Sequence, residues 1–437
     1  MRFQRTGAPM NSAIEPATKP SPETTTSRIG AALMAAMVIL TCGHILSNLL
    51  RTTPAMAIDL MAVDLGSTAQ ALAALTAAYH FSFAICQIPI GVALDRYSIR
   101  TVSLTLFAGT IAGACLAALS RGPVSFFLAQ LLLGMATSGM LMCPMALAAK
   151  RLSPAQFGLW SGLILSLGNA GMLLSASPLA FVVEHWGWRT GFWLAGAAAF
   201  VVAGLVMLIV PNDRPVQAKS RALLAEMTTV LRLGGSRALR GIVILAFVSL
   251  AVQIVLRGLW AGPWLMNIKG LSRLEAGNVL AVFTVALVVA PALMGILDRK
   301  LGQRRLLLLA TQLLAAGLFV AMALGAPGFP LANAFGVALM PASFDVGVLV
   351  SIGLLVCVQP LIYAMTRQVI AVENTGKALS AVNLSFFLGT AVLQSVTSPI
   401  AAAWGLPAVL IAMAIFLSTA TVAFFVLTRP AAPRLAA

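Results

Sequence analysis

Apolar residues run almost unbroken for twenty or more positions at a time along this chain, with short polar loops between the runs. They fall at 29–57, 70–94, 101–120, 123–149, 157–182 and 189–210, and again at 241–265, 275–297, 306–325, 347–370, 377–401 and 406–428. A helix needs about 20 apolar residues to cross a bilayer, so each run predicts a transmembrane helix. They are numbered here spans 1 to 12; runs beyond about 25 residues predict tilt or bending. The two sets are separated by a polar, basic stretch at 211–240, in which Leu223, Leu224, Met227, Val230 and Leu231 recur at helical spacing. That spacing predicts a short amphipathic helix at the membrane surface. The pattern therefore predicts an all-α membrane protein of twelve transmembrane helices, with a six-helix bundle at 29–210, a linker at 211–240 and a second bundle at 241–428. Residues 1–28 and 429–437 read as tails. The first tail is rich in Pro, Thr and Ser, predicts disorder and has no apolar h-region, so no cleavable signal peptide is expected.

Composition agrees with the pattern. Of 437 residues, 60% are hydrophobic and 9% charged, with a mean hydropathy of +0.97. Soluble domains carry roughly 25% charged residues, which excludes a soluble fold. The net charge of +16 would suggest nucleic acid in a soluble protein, but its distribution explains it otherwise. Placing both tails and the linker on one side puts 22 of the 28 Lys and Arg residues there. Four (Arg121, Arg189, Lys269 and Arg273) fall on the other side, and Arg51 and Arg257 lie inside spans. Basic loops stay inside, so the tails are predicted to be cytoplasmic, in a cytoplasmic (inner) membrane, and no nucleic-acid partner is expected. Cys42, Cys86, Cys115, Cys143 and Cys357 sit in apolar runs without metal-ligand spacing, so no metal or cofactor is expected. An enzyme would need a H-E-x-x-H, a nucleophile elbow or a P-loop, and none is present.

The two halves resemble each other. "GVALDRYSIR" (Gly91–Arg100) closes span 2 and "GILDRKLGQRR" (Gly295–Arg305) closes span 8. "SPLA" in span 5 returns as "SPIA" in span 11, with Gly168 and Gly389 each ten residues before the proline. "NLLRTTPAM" in span 1 is echoed by "IVLRGLWAGPW" in span 7. Correspondences in the same order predict an internal duplication.

With these motifs the chain resembles the major facilitator superfamily, whose signature between helices 2 and 3 has the form G-x-x-x-D-R-x-G-R-R. Gly91, Asp95, Arg96 and Arg100 match it, while Ser98 and Ile99 depart from it. The second copy keeps Asp298, Arg299, Gly302, Arg304 and Arg305, with Gly295 three residues before the aspartate. The resemblance implies two bundles that rock about a central site. It also implies a gate in which Asp95 meets the positive N-terminal end of span 11, helped by Arg96 and Arg100, with Asp298 and Arg299 in the equivalent place.

Arg51 and Arg257 carry the chemistry. A guanidinium within a span costs at least about 2.5–3.5 kcal/mol on insertion scales and needs a partner. All twelve Asp and Glu residues read as tail, loop or helix-end positions, Asp59, Asp64 and Asp345 among them. A bound anion would supply the charge, since the guanidinium fork fits carboxylate or phosphate. The arrangement is similar to that of sugar-phosphate and organic-anion transporters of the superfamily, which implies that Arg51 and Arg257 face a shared cavity. His44, Asn48 and Arg51 lie on one helical face, and Gln253 takes the place of Asn48 in the second half. Arg51 pairing with Asp59 or Asp64 in an outer gate, or snorkelling to headgroups, are the alternatives. Tyr363 and Asn383 read as further cavity-lining groups, with Gln130, Asn169 and Gln359 as weaker ones. His44 and His80 could carry protons. Trp260 and Trp264 read as an outer aromatic belt, and the small residues Gly134, Ala136, Ser138 and Gly139 of span 4 as close helix packing.

The expectation is a monomeric secondary transporter moving a small organic anion through the lipid bilayer by alternating access. Its co-ion would be H+ or Na+, or it would exchange a counter-anion. An exporter of drug-like compounds or metabolites competes with this, although span 5 lacks the G-P-x-x-G-G type of motif; a transporter-like receptor is the third reading.

Overall fold

The computed structural model describes residues 30–152, 154–212, 223–329, 334–371 and 375–428, and it is helical almost throughout. Eleven stretches are long and apolar enough to cross a bilayer, and the last, Lys377–Leu427, divides at Gly405, which makes twelve spans among the described residues. Both tails lie outside the described residues.

Prolines and glycines shape the spans more than their apolar residues do. Span 1 runs from Ala31 to Thr52, breaks at Thr53, and continues as Pro54–Asp64, because Pro54 has no N–H to donate. It thus extends past the predicted end at 57. Span 5 is divided into Pro154–Leu174 and Ser177–Trp186, and span 10 into Ala342–Val356 and Gln359–Val369. Span 7 begins as Arg240–Val255 and then widens into two π-helical turns, Leu256–Trp260 and Trp264–Ile268, around Ala261–Pro263. The duplication reappears in backbone geometry. Gly187 (φ 79°, ψ 164°) joins spans 5 and 6, and Gly405 (φ 78°, ψ 179°) joins spans 11 and 12, both in a region essentially reserved for glycine.

Gly168 and Gly389 owe their correspondence to close packing. A Cβ on Gly168 would overlap the His44 ring of span 1, and one on Gly389 would overlap the Phe247 carbonyl of span 7. The two copies of the loop motif differ in form. Gly302 follows span 8 in the left-handed region (φ 64°), and Arg304 pairs with Asp298 at 2.5 Å. Ser98 instead has extended backbone and caps span 3, accepting from the Thr101 N–H at 3.1 Å and donating to Asn212 at 2.7 Å.

The linker helix, Leu223–Gly234, packs on the start of span 11, where Gly234 lies against Ala381. Its end of the molecule is the linker face, and the opposite end is the far face. On the far face the bundles share one buried core that reaches from span 1 to span 12, whereas around Ala36, Leu94, Val102 and Leu147 the first bundle keeps a separate core. Polar contacts reinforce the far-face closure. Arg273 of span 8 pairs with Asp59 at 2.6 Å and reaches the Met56 carbonyl, and Ser177 donates to Asn278 at 2.6 Å. Gly262 of span 7 lies directly on the Ala55 carbonyl.

Candidate functional site

Span 1 positions the first cluster. His44, Asn48 and Arg51 share one face, as their spacing predicts, and the Asn48 amide ties them together. Its Nδ2 donates to the Gly168 carbonyl of span 5 at 2.9 Å and lies 3.4 Å from His44 Nε2, while its Oδ1 accepts from Arg51. Arg51 is half-buried, and its Nε is buried with no hydrogen-bond partner. The guanidinium carbon lies 6.0 Å from the Phe83 ring of span 2 and 5.7 Å from the Phe387 ring of span 11. Those rings, from opposite bundles, are 4.3 Å apart. The cation therefore sits against an aromatic pair on the seam between the bundles.

Arg257 is placed differently. It has no accessible surface; its Nε donates to Thr284 of span 8 at 2.8 Å and its Nη2 to the Met172 carbonyl of span 5 at 2.6 Å. Met172 lies in the last turn before span 5 breaks, where unpaired carbonyls and the negative end of the helix dipole suit a cation. Ser175 also accepts from Nη2 at 3.4 Å and is bonded to Thr52, next to Arg51, at 2.6 Å. The two arginines are thus linked through Thr52 and Ser175, but each guanidinium has its own surroundings. The Nη1 of Arg257 is buried without a partner.

The acids considered as gate partners for Arg51 are taken elsewhere: Asp59 by Arg273, and Asp64 by Arg189 and by the Trp188 indole at 2.9 Å. Trp188 and Arg189 hold the Asp64 carboxyl below the usual carboxylate range. The chain stays helical to Asp64, about 20 Å beyond Arg51, and the guanidinium faces Phe83 and Phe387.

The remaining groups form bridges. Gln253 faces Cys357 and Gln359 at 3.5 Å each, while Tyr363 donates to Asn383 at 3.0 Å and Asn383 in turn donates to Gln87 of span 2. His80 Nδ1 is 3.0 Å from Gln394 Oε1, and its Nε2 is buried and unpartnered. The pairs His80–Gln394, Phe83–Phe387 and Gln87–Asn383 make an antiparallel ladder between spans 2 and 11. Of the loop-motif residues, Arg96 and Arg299 are exposed, Arg100 and Gly91 are half-buried, and the Asp95 side chain lies outside the described ones.

Two sequence expectations need correction. Trp260 and Trp264 form no aromatic belt: both are buried, and their indoles donate to Thr397 at 3.0 Å and Asp345 at 2.8 Å. Asp345 does stand at a helix end, but span 10 starts earlier than predicted, at Ala342, and the carboxylate has no accessible surface. It pairs with Lys269 at 2.8 Å, and Lys269 also donates to the Met340 carbonyl at 2.9 Å. Phe83, Phe387, Gln87 and Gln394 are the site residues that sequence reading passed over. Among the described residues no group of His, Cys, Asp and Glu could hold a metal ion.

Comparison with known proteins follows the fold. The family model described as Major Facilitator Superfamily matches residues 40–260 and again 242–437. Among solved structures, the chain is similar to the nucleoside transporter NupG in a mutant form, at 12% identity and a TM-score of 0.71 over 91% of this chain and 100% of that one. It is also similar to a POT family transporter in complex with 5-aminolevulinic acid, at 14% identity and a TM-score of 0.74 over 90% of this chain and 96% of that one. The peptide transporter POT in complex with sulfate aligns at 13% identity and a TM-score of 0.69 over 90% of this chain and 94% of that one. No curated protein matches the chain.

Proposed function

The chain belongs to the Major Facilitator Superfamily and is a multi-pass membrane transporter, and from that premise we propose that it moves a small organic anion by alternating access. One observation carries the reading: Arg51 and Arg257 lie in the interior, and among the described residues neither is paired with a carboxylate. Asp59, Asp64 and Asp345 are each bound to another cation. Arg51 is half-buried on the seam between the bundles and its enclosed Nε has no partner, so the part of the guanidinium that keeps accessible surface is what a substrate would meet. An anion placed there completes a charge-assisted hydrogen bond in a low dielectric.

The closed far face and the separate linker-side core support a carrier that opens toward the linker in this state. The distribution of basic residues supports a cytoplasmic position for that side. Opening the far face requires Arg273 to leave Asp59 and span 7 to part from span 1, with the ladder between spans 2 and 11 as the seam. Asp95 with Arg96 and Arg100, and Asp298 with Arg299, belong to the gate on the linker side. Both histidines keep one buried, unpartnered ring nitrogen; His80, on the seam against Gln394 of the other bundle, is the better placed to take a coupling proton, since His44 is wedged against Gly168.

The test is ligand-induced thermal stabilisation of purified protein, wild type beside Arg51→Gln. Ligand at a hundred times its Kd stabilises by about 2.7 kcal/mol. Anions that stabilise the wild type and not the folded variant support the reading. Stabilisation of both forms by neutral or cationic compounds alone refutes it and favours the exporter.

A further inference from the structure

We infer that the substrate is a monocarboxylate with an apolar or aromatic body, selected by Phe83 and Phe387. The inference rests on the anion site proposed above and narrows it. Charge is the first argument. Of the two interior arginines only Arg51 has accessible surface; Arg257 has none and is already bonded to Thr284, Met172 and Ser175. One accessible guanidinium balances one negative charge. A phosphate monoester or a dicarboxylate would bring a second charge whose only unpaired interior cation, among the described residues, is the enclosed Arg257, which the substrate cannot touch, and a charge away from water without a direct partner is costly.

Shape is the second argument. The phenyl rings of Phe83 and Phe387 stand against the guanidinium at 6.0 and 5.7 Å, and the Nε remains without a partner. That Nε is enclosed, so an anion meets the accessible N–H edge of the guanidinium, beside the ring pair. A carboxylate is planar and fits that edge through both oxygens. The group attached to it lies along Phe83 and Phe387, which reward apolar or aromatic surface.

The polar groups nearby supply the third argument. Tyr363, Asn383 and Gln87 are bonded to one another in a row, and Asn48 is shared among His44, Gly168 and Arg51. A polyol such as a sugar phosphate finds few free partners for its hydroxyls there, and burying unpaired hydroxyls is unfavourable.

The experiment measures binding of benzoate, butyrate, acetate, succinate, glycerol phosphate and inorganic phosphate to the full chain in lipid nanodiscs. Wild type is compared with Arg51→Gln, Phe387→Ala and the milder Phe387→Leu. Benzoate and butyrate are expected to bind at least tenfold tighter than succinate or either phosphate, with binding lost in Arg51→Gln. Phe387→Ala is expected to weaken benzoate about tenfold and acetate less than twofold. Phe387→Leu, which keeps an apolar side chain in the seam, should weaken benzoate more than butyrate. Succinate or phosphate binding as tightly as benzoate, and through Arg51, overturns the inference while the anion site stands. Equal loss for acetate and benzoate in both Phe387 variants removes the selecting role of the rings. No Arg51-dependent binding of any of the six removes the anion site itself.

Discussion

Replacing Asp345 by asparagine should destabilise the second bundle severely for so small a change. The carboxylate is wholly buried, and Lys269 opposite has 1% of its side chain exposed, so neither charge has water to fall back on. Stripping one partner from a buried ion pair costs about 3–5 kcal/mol, because the other charge is left uncompensated. The substituted amide would still accept from the Trp264 indole, and Lys269 would keep the Met340 carbonyl, which puts the expectation at the low end, about 3 kcal/mol. For a cooperative unit of roughly 200 residues each kcal/mol moves the melting temperature by about 2–4 °C, so Asp345→Asn should melt about 6–12 °C below wild type. The double variant Lys269→Met/Asp345→Asn removes the stranded charge and keeps the indole's acceptor, and should recover most of the loss. Thermal unfolding in detergent, followed by intrinsic fluorescence, compares wild type with both variants. A single variant as stable as wild type, or a double variant as unstable as the single, would refute the reasoning that an uncompensated lysine sets the cost.

Other consequences are smaller and as direct. Gly168→Ala places a Cβ on the His44 ring, an overpacking worth about 1–3 kcal/mol, and should abolish anion binding through the His44–Asn48–Arg51 unit. Gly162→Ala on the same span meets nothing within 4 Å and serves as the control in the same melting and binding assays. Ser98→Ala loses the cap of span 3 together with the bond to Asn212 and should cost about 1 kcal/mol by thermal unfolding. Asp64, held low by Trp188 and Arg189, contributes stability that is complete above the ordinary carboxylate value of about 3.9 and is lost as pH falls through its lower folded value. The melting-temperature gap between wild type and Asp64→Asn should therefore narrow below about pH 4; a gap unchanged from about pH 7 to about pH 3 would contradict this.

The spans were legible because a bilayer leaves a chain few choices: about twenty apolar residues in a row have to be a helix. The duplication was legible at Gly168 and Gly389, since close helix contact makes glycine a sequence-level mark. What escaped reading depends on partners distant in the chain. Asp345 reads as an ordinary helix-end acid until Lys269 and Trp264 are brought to it from span 7. Position near a span end is likewise what made Trp264 look like a headgroup anchor. Phe83 and Phe387 carry no local signal, since a phenylalanine in an apolar run reads as lipid-facing or core. Arg51 and Arg257 stood out as charges within apolar runs, but their equivalence in the repeat said nothing about one being half-buried and the other enclosed.

The two wide turns of span 7 have an implication for how this gene can change. A π turn is, in register, one residue inserted into an α-helix. Removing a residue between Leu256 and Trp260 would close that turn and swing every later side chain by about 100°. Arg257 would keep Thr284 and Met172, while Trp264 and Lys269 would turn away from Asp345 and Gly262 would leave Ala55. Among descendants of this sequence, that segment should tolerate substitution far better than a change of length by one.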